Sequence, residues 1–199
     1  MVGLFYFGTV WFLSSKIKRF LLYLWKWIEI MGIFRTMIYA AALAVLSGCI
    51  KEAPTGADLK VGDSLPDFTV QMADGTVVSD EDLKGSVSFV MFFHTSCPDC
   101  QQTLPGVQRV YDEYASNSVR FALVSREEGK DEIEAYWNEA GYNMPYSPQE
   151  TRDVYNLFAA TRIPRVFICD KDGIIRYMYT DDPVPSYDDL KNSIESLIR

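Results

Sequence analysis

The hydropathy pattern of the chain centres on two continuous apolar runs, residues 87–93 and 119–124. Runs of that length without polar alternation predict strands buried on both faces, the second in a central parallel position. Upstream, Phe68, Val70 and Met72 alternate with polar residues, Asp74-Gly75 makes a hairpin turn, and Val77-Val78 lead back. Residues 79–84 fit a single helical turn packed by Leu83. After the first run, Val107, Val110, Tyr111 and Tyr114 recur at the i, i+3, i+4, i+7 spacing of a core-facing helix, and Pro105 inside that pattern predicts a kink. Ile133, Tyr136, Trp137 and Ala140 predict a second helix ending at Gly141, and Val154, Leu157 and Phe158 a shorter third. A strand over 166–169, a turn at Asp172-Gly173 and a return over 174–179 form a second hairpin. Pro183 and Pro185 break the chain. Ser186, with Asp189 three residues on, caps a last helix carrying Leu190, Ile194, Leu197 and Ile198 on one face. No repeats occur. The order describes one α/β domain with a mixed sheet.

The first 48 residues follow a different pattern. From Met31, a short basic region with Arg35 precedes an uncharged apolar run over 36–46 and then Ser47-Gly48-Cys49. Basic region, apolar core of about eleven residues and small residues before a cut site make a secretory signal. A spanning helix needs at least about 18 apolar residues with few charges, and Lys16, Lys26, Glu29 and Arg35 interrupt every such stretch. Residues 1–30, with a second apolar run and an aromatic-rich piece around Trp25 and Trp27, exceed what a signal needs; translation is expected to start at Met31 or Met37. The alternative is a membrane-interface segment, a boundary that Trp and Lys favour. Residues 49–58, with Pro54 and Gly56, read as a flexible tether, leaving the folded domain at 59–199.

Charge separates the same two parts. The leading segment holds five basic residues and one acid, so the rest of the chain carries 14 basic against 26 acidic residues, a net charge of −12. Nucleic-acid binding is excluded as an expectation, because phosphate neutralisation needs clustered Lys and Arg. The four cysteines (Cys49, Cys97, Cys100, Cys169) and the single histidine, His94, are too few for a disulfide scaffold or a zinc ribbon, so neither a metal nor a bound cofactor is expected.

Two of those cysteines coincide with the end of the first apolar run, which closes on His94-Thr95-Ser96-Cys97-Pro98-Asp99-Cys100. Pro98 suits the first position of a helix, which leaves Cys97 as its cap, where unpaired N–H groups and the helix dipole favour a thiolate. Cys100 follows one turn later on the same side, within reach of a small disulfide. Cys169, in an apolar strand, reads as a buried inert thiol.

Cys-Pro-Asp-Cys at a strand–helix junction, Pro105 eight residues beyond the first cysteine, and Thr161-Arg162-Ile163-Pro164 directly before a strand resemble the layout of thioredoxin-fold proteins. The segment Val61-Gly62-Asp63-Ser64-Leu65-Pro66-Asp67-Phe68, with Asp74-Gly75 and Leu83-Lys84-Gly85, is similar to the redoxin branch, specifically TlpA/ResA-like thiol–disulfide oxidoreductases, over residues 59–199. Leu46-Ser47-Gly48-Cys49 resembles the lipobox of bacterial lipoproteins, which implies lipidation at Cys49 and a periplasm-facing, membrane-anchored place in the cell envelope. The resemblance implies a three-layer thioredoxin-like fold with a central mixed sheet, an N-terminal hairpin and a helical insertion over 126–150. It also implies a cis-proline at Pro164, with the backbone of Ile163 pairing with an extended substrate.

By the same resemblance, Cys97 is the attacking thiolate and Cys100, more buried and of higher pKa, resolves the mixed disulfide. Partners are protein thiols or disulfides and an upstream electron donor, and the direction is reduction. Family use in cytochrome c maturation suggests apocytochrome-like thiols. The sequence departs from the pattern at Ser96, often tryptophan in thioredoxins, at Met91 in place of a buried aspartate, at Thr103 in place of a glutamate, and at Arg165 after the proline. Asp99 is then the one obvious carboxylate near the pair. His94, Asp99 and Arg165 are the groups expected to tune the sulfurs, Arg165 also as a binder of acidic substrate. Two alternatives follow from related families. A peroxiredoxin-like peroxidase would want proline and threonine where Val90 and His94 stand, and a copper-handling protein would want a wider cysteine spacing and a distal histidine.

Overall fold

The computed structural model describes residues 58–116 and 119–199, all within the compact unit Glu52–Arg199. The signal, lipidation and tether expectations for residues 1–58 therefore lie outside the described residues, apart from Asp58. Among the described residues no helix is long and apolar enough to cross a membrane.

A hairpin of β1 (Thr69–Gln71) and β2 (Val77–Ser79) opens the domain. Its turn is set locally: Asp74 Oδ1 accepts from the amide and hydroxyl of Thr76 at 2.9 and 2.7 Å, and Gly75 takes φ 88°. Ser79 then caps α1 (Asp80–Leu83) through a reciprocal capping box with Asp82. Next come β3 (Val87–Phe93), α2 (Pro98–Tyr114), β4 (Val119–Ser125), α3 (Lys130–Ala140), β5 (Tyr146–Ser147), α4 (Asp153–Phe158), β6 (Arg165–Cys169), β7 (Ile175–Tyr179) and α5 (Tyr187–Ile198). α2 is continuous through Pro105, and α3 ends at Gly141 in the left-handed region, φ 71°.

The five-stranded sheet has the order β5-β4-β3-β6-β7. β4 runs parallel to β3 and β5 parallel to β4, while β6 is antiparallel to β3 and β7 to β6. β3 thus takes the centre, and β4, parallel to both its neighbours, the interior place beside it. Every residue of β3 is buried, as its unbroken apolar run requires. The steps β3–α2–β4 and β4–α3–β5 move the same way across the sheet, so α2 and α3 cover one face. There Phe121 sits between Phe89 and Tyr111 of α2, and Phe93 packs on Trp137 of α3. On the other face Phe92 meets Tyr155 and Phe158 of α4, and Phe158 meets Phe68 from the N-terminal hairpin. The three layers follow from the two-residue period of β3 with large apolar side chains at both phases. The hairpin also shields the short edge strand β5: Ala73 donates its amide to Tyr146, and Ser147 Oγ donates to the carbonyl of Gln71.

Candidate functional site

β3 ends where its partner strand stops. Phe93 gives its carbonyl to the amide of Arg126 at 2.8 Å, and the chain leaves the sheet at His94. It turns at once, the His94 carbonyl accepting from the amide of Cys97 at 3.1 Å. Cys97 occupies the N-cap of α2 in extended conformation (φ −81°, ψ 120°), with Pro98 at the first helical position, where a missing N–H costs no intrahelical bond. Its carbonyl takes the amide of Gln101 at 2.9 Å, and the Gln101 side chain donates back to the carbonyl of Thr95 at 2.7 Å. The loop carrying the first cysteine is thereby tied at both ends.

The register of β6 against β3 pairs Arg165 with Phe92, so the loop before β6 arrives beside the dithiol. Cys97 Sγ lies 3.6 Å from the carbonyl oxygen of Ile163, and the Ile163-Pro164 peptide is cis. Cys97 is partly exposed and Cys100 fully buried, both as free thiols. Burial pushes the Cys100 thiol well above the ordinary cysteine range, while a backbone hydrogen bond from His94 and the charge of Arg126 act the other way. Cys169 is buried too, its thiol pushed up to about 12 by desolvation, but it pairs with Ser88 at the far end of β3.

His94, Asp99 and Arg165 come out differently from one another. The His94 ring turns Nδ1 toward Ser96, 3.1 Å from its amide and 3.0 Å from its hydroxyl, and 3.5 Å from Glu128 Oε1. The tautomer divides these roles: an unprotonated Nδ1 accepts from the Ser96 amide, a protonated one serves the hydroxyl or the carboxylate. Asp99 lies in the first turn of α2, its carbonyl taking the hydroxyl of Thr103 at 2.8 Å. Arg165 is no surface residue. It is 7% exposed, with Nη2 3.2 Å from Asp58 Oδ1 and 3.0 Å from the Thr161 carbonyl. Facing Phe92 on the α4 side of the sheet, it has no open solvent to point into.

One carboxylate near the pair escaped the sequence reading. Glu128, 5% exposed, accepts from the Thr95 amide through Oε2 at 2.8 Å and from the Thr95 hydroxyl through Oε1. Its own backbone is fixed in turn, the amide to Gln149 and the carbonyl to Ser125 Oγ. Asp99 is therefore not the single acid beside the dithiol; Glu128 anchors the turn that presents it. The signal available was weak: two adjacent glutamates after a strand, of which Glu127 is exposed and Glu128 buried.

The sequence model of the AhpC/TSA family matches residues 61–178. Among curated proteins, the thiol-disulfide oxidoreductase ResA of Bacillus thuringiensis (strain Al Hakam) is 24% identical over 115 residues, covering 58% of this chain and 66% of that protein. The match thus spans just under two thirds of that relative's length. ResA of Geobacillus thermodenitrificans is 26% identical over 137 residues, 69% of this chain and 78% of that one. Two solved structures share the fold. A thiol:disulfide interchange protein of the thioredoxin family from Chlorobium tepidum superposes with a TM-score of 0.61 at 24% identity, covering 72% of this chain and all of that one. The thioredoxin domain of a thiol-disulfide oxidoreductase from Bacteroides vulgatus gives 0.62 at 21%, covering 71% and all of it. The architecture is accordingly thioredoxin-like, a mixed sheet between helical layers.

Proposed function

We propose, for a chain that belongs to the AhpC/TSA family, that it works as a thiol–disulfide oxidoreductase reducing protein disulfides through Cys97 and Cys100. One observation carries the reading: a partly exposed sulfur at a helix N-terminus, 3.6 Å from the Ile163 carbonyl, backed by a buried second thiol. The positive end of α2 stabilises negative charge on Cys97. That thiolate attacks one sulfur of a partner's disulfide, forms the Cys97–partner bond and releases the other partner sulfur, which takes up a proton. Cys100 then loses its proton and attacks Cys97 Sγ. The Cys97–Cys100 bond forms and the partner leaves as a second thiol. The partner gains two electrons and the pair loses two, which a dithiol donor upstream restores.

The order of the steps rests on access: Cys97 can be reached from outside and Cys100 cannot. The Ile163 backbone supports the reading as the place where an extended partner segment would lie. Lipidation at Cys49 would hold the domain at the periplasmic side of a cell-envelope membrane. Trapping separates the two sulfurs. Cys100→Ser should accumulate mixed disulfides on Cys97, and Cys97→Ser should not; equal capture by both variants would sink the assignment. Intact-mass measurement tests the anchor, with a lipid-modified species beginning at Cys49 expected and one retaining Met1 against it.

A further inference from the structure

Three arginines converge on one tyrosine next to the dithiol. The guanidinium groups of Arg126 and Arg152 each lie 5.3 Å from the centre of the Tyr155 ring, and Arg165 is the third cation acting on it. The tyrosine hydroxyl donates at 2.6 Å to the carbonyl of Arg162, the residue before Ile163. The cluster is thus joined by a hydrogen bond to the loop whose next carbonyl touches Cys97. It reaches the pair from the other side as well, because Arg126 follows the strand beside β3 and its charge acts on Cys100.

The internal partners do not balance this charge. Arg126 and Arg152 share one carboxylate, Glu127, at 3.9 and 3.7 Å, and Arg165 has Asp58 at 3.2 Å. Both acids are about half exposed. Among the described residues three cations face two anions, and Nε of Arg126 and Nε of Arg165 are buried with no hydrogen-bond partner, the second within a residue more than nine-tenths buried. Buried donors left unmade are costly, which argues that something else completes the set. Arg165 and Tyr155 are buried, while Arg126 and Arg152 keep side-chain exposures of 21% and 36%. A planar guanidinium with several donors matches a carboxylate in two-point fashion.

We infer that this cluster binds a carboxylate of the substrate polypeptide, so that the site takes partners whose cysteine is flanked by Asp or Glu. The inference rests on the oxidoreductase reading and names the substrate class for it. The sign of the preference makes it sharp. A domain this acidic repels acidic peptides as a whole, and long-range steering alone favours basic ones. Only a local cation site reverses that order.

The test uses the full chain in a neutral detergent, reduced with dithiothreitol and freed of it. Three peptides of equal length each carry one cysteine as a mixed disulfide with thionitrobenzoate. They differ only in the two residues flanking that cysteine: Glu, Gln or Lys. Attack by Cys97 and resolution by Cys100 together release the peptide thiol and coloured thionitrobenzoate, and the rate at which the colour appears scores each peptide. The Glu peptide is expected to react about tenfold faster than the Lys peptide at low salt, the gap closing to about twofold in 0.5 M salt. Arg126→Gln with Arg152→Gln should bring the ratio to one or below, and the paired Lys substitutions should keep the Glu preference. Equal rates, or a faster Lys peptide, in the unaltered chain would overturn the inference and leave the oxidoreductase reading standing. No exchange with any peptide would overturn both.

Discussion

Two buried charges flank the dithiol, and the sheet holds them in different ways. Glu128, on the β4 side, spends both oxygens on Thr95, whose amide and hydroxyl are themselves buried. Arg165, on the β6 side, spends its guanidinium on Asp58, which is 57% exposed, and on the carbonyl of the exposed Thr161. A buried charge matters for stability through what it leaves behind. Remove Glu128 and two donors are stranded in a dry turn; remove Arg165 and its partners turn to water.

The largest effect should therefore come from Glu128→Ala. Two stranded donors at about 1–3 kcal/mol each predict a loss of about 3 kcal/mol in urea unfolding, with Glu128→Gln recovering part of it because its carbonyl still accepts one bond. A loss below about 0.5 kcal/mol would show that the Thr95 donors find water instead, since that is the scale of an ordinary surface change. The next effect concerns a buried neutral group, the Cys169 thiol. Its folded pKa is raised to about 12, so the unfolded chain releases the proton first as pH climbs. The stability it contributes is whole below the unfolded value near 8.5 and is lost as pH rises toward 12. Between pH 8 and 10 the unaltered chain should lose about 2 kcal/mol more than Cys169→Ala, at about 1.4 kcal/mol per pH unit beyond the unfolded pKa. Parallel pH curves for the two proteins would show that burial leaves this thiol untuned.

The same contrast explains what could be read from the sequence. Cys-Pro-Asp-Cys, the strand before it, the helical turn over 79–84, the Ser186 cap and the Asp74-Gly75 turn are local patterns, and each stands where the pattern places it. The mixed sheet was legible because the unbroken runs of β3 and β4 demand cover on both faces. Glu128 was not. Its partner Thr95 lies 33 residues away, and nothing local distinguishes it from Glu127. Arg165 stood in plain view as a cation in an apolar strand, yet its role depends on register: pairing with Phe92 turns it onto the α4 side, where Asp58 and Tyr155 wait. Short-range chemistry shows in a sequence; a charge satisfied across the fold does not.

The smallest effects belong to the Arg165 side. Arg165→Met replaces a buried cation by an apolar chain of similar length beside Met178 and Phe92, and such replacements are often near neutral. A loss of about 1 kcal/mol is expected, mainly for the Thr161 carbonyl. Asp58→Asn keeps an oxygen for the Ala160 amide, 3.2 Å away, and removes only the negative charge. If solvent compensates for the ion pair, this change costs about 0.5 kcal/mol or less. A double-mutant cycle between the two should then give a coupling below about 1 kcal/mol. A coupling of 3 kcal/mol or more would place the Asp58–Arg165 pair in the class of fully buried ion pairs. In that event the two sides of the dithiol would be held alike, and the start of the folded domain would be fastened to the residue after Pro164 as firmly as Glu128 fastens the turn before Cys97.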